Sequence, residues 1–162
     1  MTEFGEILRR LVGGGVEFII VGGVAAIAHG SARATQDIDI VYQRTPENIS
    51  RLVAVLAPWS PYPRGAPPGL PFRWDERTMR NGLNFTLSCA LGAVDLLGEI
   101  TGGGDYAQLV DHSISMEIFG SRYRFLDLEK LIAVKRAAGR PKDFESVAEL
   151  EAILEEKRNR SS

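Results

Sequence analysis

Two aspartates one residue apart, Asp37 and Asp39, stand in the run Asp37-Ile38-Asp39-Ile40-Val41, where acidic and apolar residues alternate. Such alternation predicts a strand, and side chains two apart on a strand share a face. The two carboxylates therefore stand side by side. Like charges that close repel and raise a pKa unless a cation lies between them. Mg²⁺ suits an all-oxygen site and commonly bridges carboxylates and substrate phosphates. A third aspartate, Asp95, is flanked by apolar residues in Gly92-Ala93-Val94-Asp95-Leu96-Leu97. An ionised carboxylate in an apolar strand is costly unless it is paired. Pointing Asp95 at the same cation relieves that cost. Three carboxylates on adjacent strands can hold two Mg²⁺, one gripping a triphosphate and one lowering the pKa of an attacking hydroxyl.

Upstream lies a glycine pair, Gly22-Gly23, after an apolar β-branched run. Glycine lets the backbone approach an anion closely, and a following helix turns free N–H groups outward. Arg33 and Thr35, in the connection to the acidic run, add a charge and a hydroxyl near the same phosphates. Each feature has a bland reading when taken alone. A lone Gly-Gly is usually a tight turn, an Asp-x-Asp is often an exposed edge, and Asp95 could be a turn residue. Their order along the chain favours the chemical reading.

The elements that must position these groups follow from local pattern. Phe4, Ile7, Leu8 and Leu11 have helical spacing within 2–12, and Gly13-Gly14-Gly15 stop the helix. Residues 16–21 predict a buried strand and 24–29 an Ala-rich helix ended by Gly30. Thr45 and Pro46 mark a helix start, with Ile49, Leu52, Val53 and Leu56 on one face. Residues 58–71 hold six prolines and two glycines and read as a long surface loop. Residues 83–89 and 93–97 read as paired strands joined through Leu91-Gly92. Gly102 to Gly104 form a flexible turn before a short helix ending near Val110. Residues 115–119 and 122–126 form a hairpin across Gly120-Ser121. Asp127 caps a helix that runs to Ala138 and closes at Gly139; a last helix opens at 141–143 and frays into a polar tail from Glu155.

The chain has 162 residues, 44% hydrophobic and 25% charged, which fits one globular domain. The expected organisation is one domain over 1–162, with a sheet core over 1–126 and a C-terminal helical segment over 127–158. A net charge of -2 gives no global attraction to nucleic acid, so a polynucleotide would need a local basic patch. The single cysteine, Cys89, cannot form an internal disulfide and reads as buried filler. No secretory signal is visible, and the longest apolar stretch is interrupted by Glu17 and Gly22-Gly23, so a cytoplasmic location without membrane contact is expected. His29 and His112 read as local structural residues, because no second His or Cys stands at metal spacing.

The segment Phe18 to Val41, FIIVGGVAAIAHGSARATQDIDIV, resembles the nucleotidyltransferase superfamily, the DNA polymerase β-like fold. That pattern is Gly-Gly or Gly-Ser after a strand, then Asp-x-Asp, then a third acid on a later strand. Gly22, Gly23, Asp37, Asp39 and Asp95 match it. The Arg33-Ala34-Thr35 triplet and the run Leu128 to Val147, LEKLIAVKRAAGRPKDFESV, are similar to AbiEii-type toxins and small prokaryotic nucleotidyltransferases. Many relatives have serine where Gly23 stands; here backbone N–H groups, with Ser31 or Thr35, would serve the phosphate. The second block carries Lys130, Lys135, Arg136, Arg140 and Lys142. Lys135 either reaches the triphosphate or belongs to a solvated face, and for Arg140 and Lys142 the solvated face is the simpler account, with Asp143 as a helix cap.

The resemblance implies an α+β fold, a mixed sheet with C-terminal helices, and an enzyme. It would move a nucleoside monophosphate from an NTP, ATP included, to an RNA end (a tRNA among the candidates) or a protein hydroxyl. Asp37, Asp39 and Asp95 would be its metal-binding and catalytic residues. Gly22, Gly23, Arg33, Thr35 and Lys135 would bind the nucleotide, and Mg²⁺ would be the cofactor. A toxin-like member would have an antitoxin partner. The alternative is a non-catalytic nucleotide-binding module that keeps the fold, against which the complete acidic triad argues; a structural domain with coincidental acids is a third account.

Overall fold

The computed structural model describes residues 2–161. The chain runs α1 (Phe4–Gly13), β1 (Phe18–Val21), α2 (Gly22–Ala28), β2 (Asp37–Tyr42), α3 (Pro46–Leu56), β3 (Tyr62–Pro63), α4 (Glu76–Asn81), β4 (Asn84–Cys89) and β5 (Gly92–Leu97). It continues with β6 (Glu99–Ile100), β7 (Gly104–Asp105), α5 (Tyr106–Leu109), β8 (Ser113–Ile118), β9 (Ser121–Leu126), α6 (Leu128–Ala138) and α7 (Pro141–Arg160).

Alternation decides which residues of β2 are buried. Ile38 and Ile40 are fully buried, while Asp37 and Asp39 are half-buried on the other face. That strand sits at the middle of a seven-stranded sheet in the order β3-β4-β5-β2-β1-β9-β8, and β6 and β7 form a separate two-stranded ribbon. The sheet is mixed. β2 runs parallel to β5 and antiparallel to β1, and β1 runs parallel to β9. The β4–β5 and β8–β9 pairs are antiparallel hairpins. The β8–β9 turn is made by Phe119 and Gly120, with φ of 53° and 80°, one residue earlier than the expected Gly120-Ser121.

The core is mainly apolar: Ile7, Leu8 and Leu11 of α1, Ile19 and Ile20 of β1, Leu52 of α3 and Phe125 of β9 are all inaccessible to solvent. Local signals set several boundaries. Thr45 caps α3 by accepting from Asn48 N, with Pro46 in the first turn. Asp127 caps α6 by accepting from Lys130 N, and Gly139, at φ 66°, ends it.

Three expectations need correction. The proline-rich stretch is not wholly loop, because β3 pairs with β4 there, as Tyr62 to Ser88 and Pro63 to Leu87. Proline is tolerated because β3 is an edge strand. The helix α4, capped by Asp75 onto Thr78 N, was not anticipated. The final helix does not fray at Glu155 but continues to Arg160. Ile153 and Leu154 pack on the core just before these turns, and within them Arg158 pairs with Glu129 at 2.8 Å.

Candidate active site

Strand register brings the acids together. Asp39 lies directly opposite Asp95 across the parallel β2–β5 pair, with Asp37 two residues away on the same face. One carboxylate oxygen from each of Asp37, Asp39 and Asp95 lies within 4.8 Å of the others. Opposite Asp39 on its other side is Val21, the last residue of β1, where the chain turns into α2.

Asp39 bears the strain of this crowding. Burial, the facing Asp95 and then Asp37 push its carboxyl up to about 8, against only partial relief from Lys135. Its Oδ1 is buried and has no hydrogen-bond partner among the described residues. An orphaned carboxylate oxygen among three acids is the donor set that a hard divalent cation fits.

The glycine pair is fitted to the acids and to the connection after α2. Gly22 has φ 66°, and a Cβ there would lie 2.1 Å from Asp39 Oδ2. No other residue type permits that approach. At Gly23 a Cβ would lie 2.6 Å from Thr35 Oγ1. The Thr35 hydroxyl thus stands where a serine at position 23 would project. The first turn of α2 leaves N–H groups without intrahelical acceptors, so backbone and hydroxyl face one cleft.

That cleft has a volume of about 240 Å³; its walls include Gly22, Gly23, Thr35, Asp39, Lys135 and Arg140. A second cleft of about 400 Å³ shares Gly22, Asp39, Lys135 and Arg140 and adds the apolar walls Leu97, Ile100, Leu131 and Val134. Lys135 stands between the two. It is half-buried at the edge of the apolar face of α6, and desolvation lowers its pKa, opposed by the charges of Asp143 and Asp39. Asp143 is only 2% exposed and accepts from Arg140 N at 3.1 Å and Arg140 Nε at 2.7 Å. Burial pushes its carboxyl up, but the bonds to Arg140 outweigh this and leave it below its ordinary range.

The structure places the expected residues unequally. Asp37, Asp39, Asp95, Gly22, Gly23, Thr35 and Lys135 converge. Arg33 borders the cleft, but its guanidinium is engaged by Glu145 of α7 at 3.1 Å, with Glu149 at 3.9 Å. Ser31 donates to Glu149 at 2.5 Å and is likewise taken up by α7. His29 is buried, with Nε2 2.7 Å from Leu126 O, and burial lowers its pKa, in keeping with a structural role.

One residue of the site escaped the sequence reading. Arg64, just after β3, places one guanidinium nitrogen 2.7 Å from Asp95 Oδ1 and the other 3.6 Å from Asp37 Oδ2. It comes from the proline-rich stretch, and no local pattern marks an arginine there as a partner of acids 27 and 31 residues away.

No family model matches the chain, and no curated protein matches it either. Solved structures do. A lincosamide antibiotic adenylyltransferase, LnuA, with lincomycin bound aligns with a TM-score of 0.64 at 16% identity, over 94% of this chain and 98% of that one. ANT(2'')-Ia in complex with adenylyl-2''-tobramycin aligns with a TM-score of 0.56 at 17% identity, over 98% of this chain and 97% of that one. The chain therefore has the nucleotidyltransferase fold, an α+β mixed sheet with C-terminal helices, as the motifs of β1 to β2 imply. Among the described residues no helix is long and apolar enough to cross a membrane.

Proposed function

We propose that this protein transfers a nucleoside monophosphate from an NTP to an acceptor hydroxyl and releases pyrophosphate. The convergence of three carboxylates within 4.8 Å carries this reading, because it lies beside the Gly22-Gly23 turn and a half-buried lysine. Asp37, Asp39 and Asp95 would hold Mg²⁺. The cation supplies charge neutralisation for the phosphates and a lowered pKa for the attacking hydroxyl. The backbone at Gly22 and Gly23, the Thr35 hydroxyl and the Lys135 ammonium bind and orient the triphosphate in the smaller cleft, and Arg33 borders it. Asp143, buried beneath Arg140, fixes the start of α7 next to Lys135.

Two acceptor classes follow from different observations. The AbiEii-like blocks at 18–41 and 128–147 favour an RNA end or a protein hydroxyl, with a toxin role and an antitoxin partner. The near end-to-end alignment with LnuA and ANT(2'')-Ia favours a small hydroxyl-bearing molecule. A cytoplasmic setting supplies NTP and Mg²⁺ to either. The deciding experiment incubates the protein with each α-labelled NTP and Mg²⁺, offering total RNA, lysate protein, lincosamides and aminoglycosides in parallel. Label in one acceptor, lost in Asp39→Asn, is the expected result. Tight NTP binding without pyrophosphate release in any mixture would replace this reading with that of a non-catalytic nucleotide-binding module.

A further inference from the structure

The triad is flanked by two cations of different character. Lys135 of α6 shares a cleft with Asp39, while Arg64, at the edge of the sheet, donates to Asp95 at 2.7 Å and forms a looser ion pair with Asp37 at 3.6 Å. Arg64 is held in register. Its backbone N–H donates to Thr86 O at 2.9 Å, one step beyond the β3–β4 ladder, and Thr86 faces Asp95 across β4–β5. The same terminal nitrogen that donates to Asp95 Oδ1 at 2.7 Å also donates to Leu87 O at 2.7 Å. The guanidinium is thereby anchored over the carboxylates rather than drifting in solvent. Its Nε is buried and has no partner among the described residues.

A guanidinium and a divalent cation claim two of the same three carboxylates here. Charge-assisted bonds of this length are among the strong ones. A second cation brought within a few ångströms is opposed by like-charge repulsion that water screens poorly in a half-buried site. A cation added to the arrangement as it stands therefore meets the charge of Arg64. The means of release are at hand: β3 has only two residues and lies at the sheet edge, and Gly65, at φ 78°, turns the chain immediately after Arg64.

We propose that Arg64 is the built-in counter-cation of the triad and competes with the divalent cation for Asp95 and Asp37, so that cation binding requires Arg64 to let go. This rests on reading the triad as a cation site. Arg64 would lower the affinity for a free cation and leave the site to one that arrives with enough phosphate charge to draw the guanidinium away. It is a gating and positioning residue; no chemical step passes through it.

The test is Mn²⁺ binding to the whole protein without nucleotide, read as free Mn²⁺ by electron paramagnetic resonance. If the Arg64-released form makes up less than about a tenth of the wild-type population, Arg64→Ala should bind Mn²⁺ about tenfold tighter or more. Arg64→Lys keeps the charge, loses the two-carboxylate grip and should fall between. Arg64→Gln replaces the alanine variant if that one does not fold. Saturating Mn²⁺ should also raise the melting temperature of Arg64→Ala more than that of wild type. Equal or weaker Mn²⁺ binding by Arg64→Ala and Arg64→Gln would overturn the proposal. If Asp37→Asn and Asp39→Asn bind Mn²⁺ as wild type does, the triad is not the cation site, and the functional reading fails together with the proposal.

Discussion

Asp39→Asn should make the nucleotide-free, cation-free protein more stable, and the gain should grow with pH. The unfolded chain ionises this carboxyl near 3.8, whereas burial and the facing Asp95 hold it up to about 8 in the folded protein. Between those values the folded state retains a proton that the unfolded state releases, so wild-type stability declines as pH rises and levels off above the upper value. Asparagine cannot ionise and escapes that decline. The full interval sets a ceiling of roughly 5–6 kcal/mol. Asp37 is 38% exposed, so water enters the cluster. The expected gain at about pH 8 is therefore about 1–3 kcal/mol. For a chain of this length that raises the melting temperature by about 2–4 °C per kcal/mol. Urea denaturation of both proteins in chelator, from about pH 5 to about pH 9, measures it directly. Added Mg²⁺ should stabilise wild type and not the variant. A variant less stable than wild type at the alkaline end, or a gain that does not change with pH, would refute the argument and make Asp39 a structural residue.

Gly22→Ala forces a side chain into φ 66° and onto Asp39 Oδ2. It should cost about 2–4 kcal/mol in urea denaturation and weaken Mn²⁺ binding, and wild-type stability would contradict the close approach. Thr35→Val keeps the shape and removes the hydroxyl. NTP affinity measured by calorimetry should fall about threefold to tenfold, with the melting temperature little changed, because the hydroxyl bond to Asp37 O is long at 3.3 Å. Lys135→Ala should weaken Mg²⁺–NTP binding about tenfold or more without lowering ligand-free stability, since the lysine is held desolvated. Lys130→Ala, on the same helix, should do less, and equal affinity for wild type and Lys135→Ala would return Lys135 to a solvated face.

What could be read from the sequence was local or periodic. The α3 cap at Thr45 and the bounds of α6 at Asp127 and Gly139 depend on contacts three or four residues apart, which composition displays. The pair Asp37 and Asp39 follows from strand alternation alone. Asp95 needed the additional step of placing β5 beside β2, which the nucleotidyltransferase pattern supplied. What escaped depends on distant partners. Arg64 is tied to Asp95 across 31 positions, and Ser31 to Glu149 across 118. Arg33, expected at the phosphates, is drawn instead to two glutamates of α7 that no local pattern links to it. The helix α4 was legible in principle, since Asp75 three residues before Thr78 is a cap signal. A stretch dense in proline masked β3.

The site lies along one row of the sheet: Val21, Asp39, Asp95, Thr86 and Arg64 occupy successive positions across β1, β2, β5, β4 and the residue after β3. Side-chain direction in a sheet reverses with every residue, so a slip of one position by any of these strands turns its member of the row to the opposite face. The row is in effect a parity check on assembly. A chain with β5 paired out of step would turn Asp95 toward the core and present Val94 or Leu96 to Asp39, leaving Asp37 and Asp39 without the third carboxylate. A mixed refolding population should therefore contain molecules with the three-carboxylate site and molecules that lack it. Total cation-binding capacity would then count the correctly registered fraction, while the affinity of each competent molecule stayed constant.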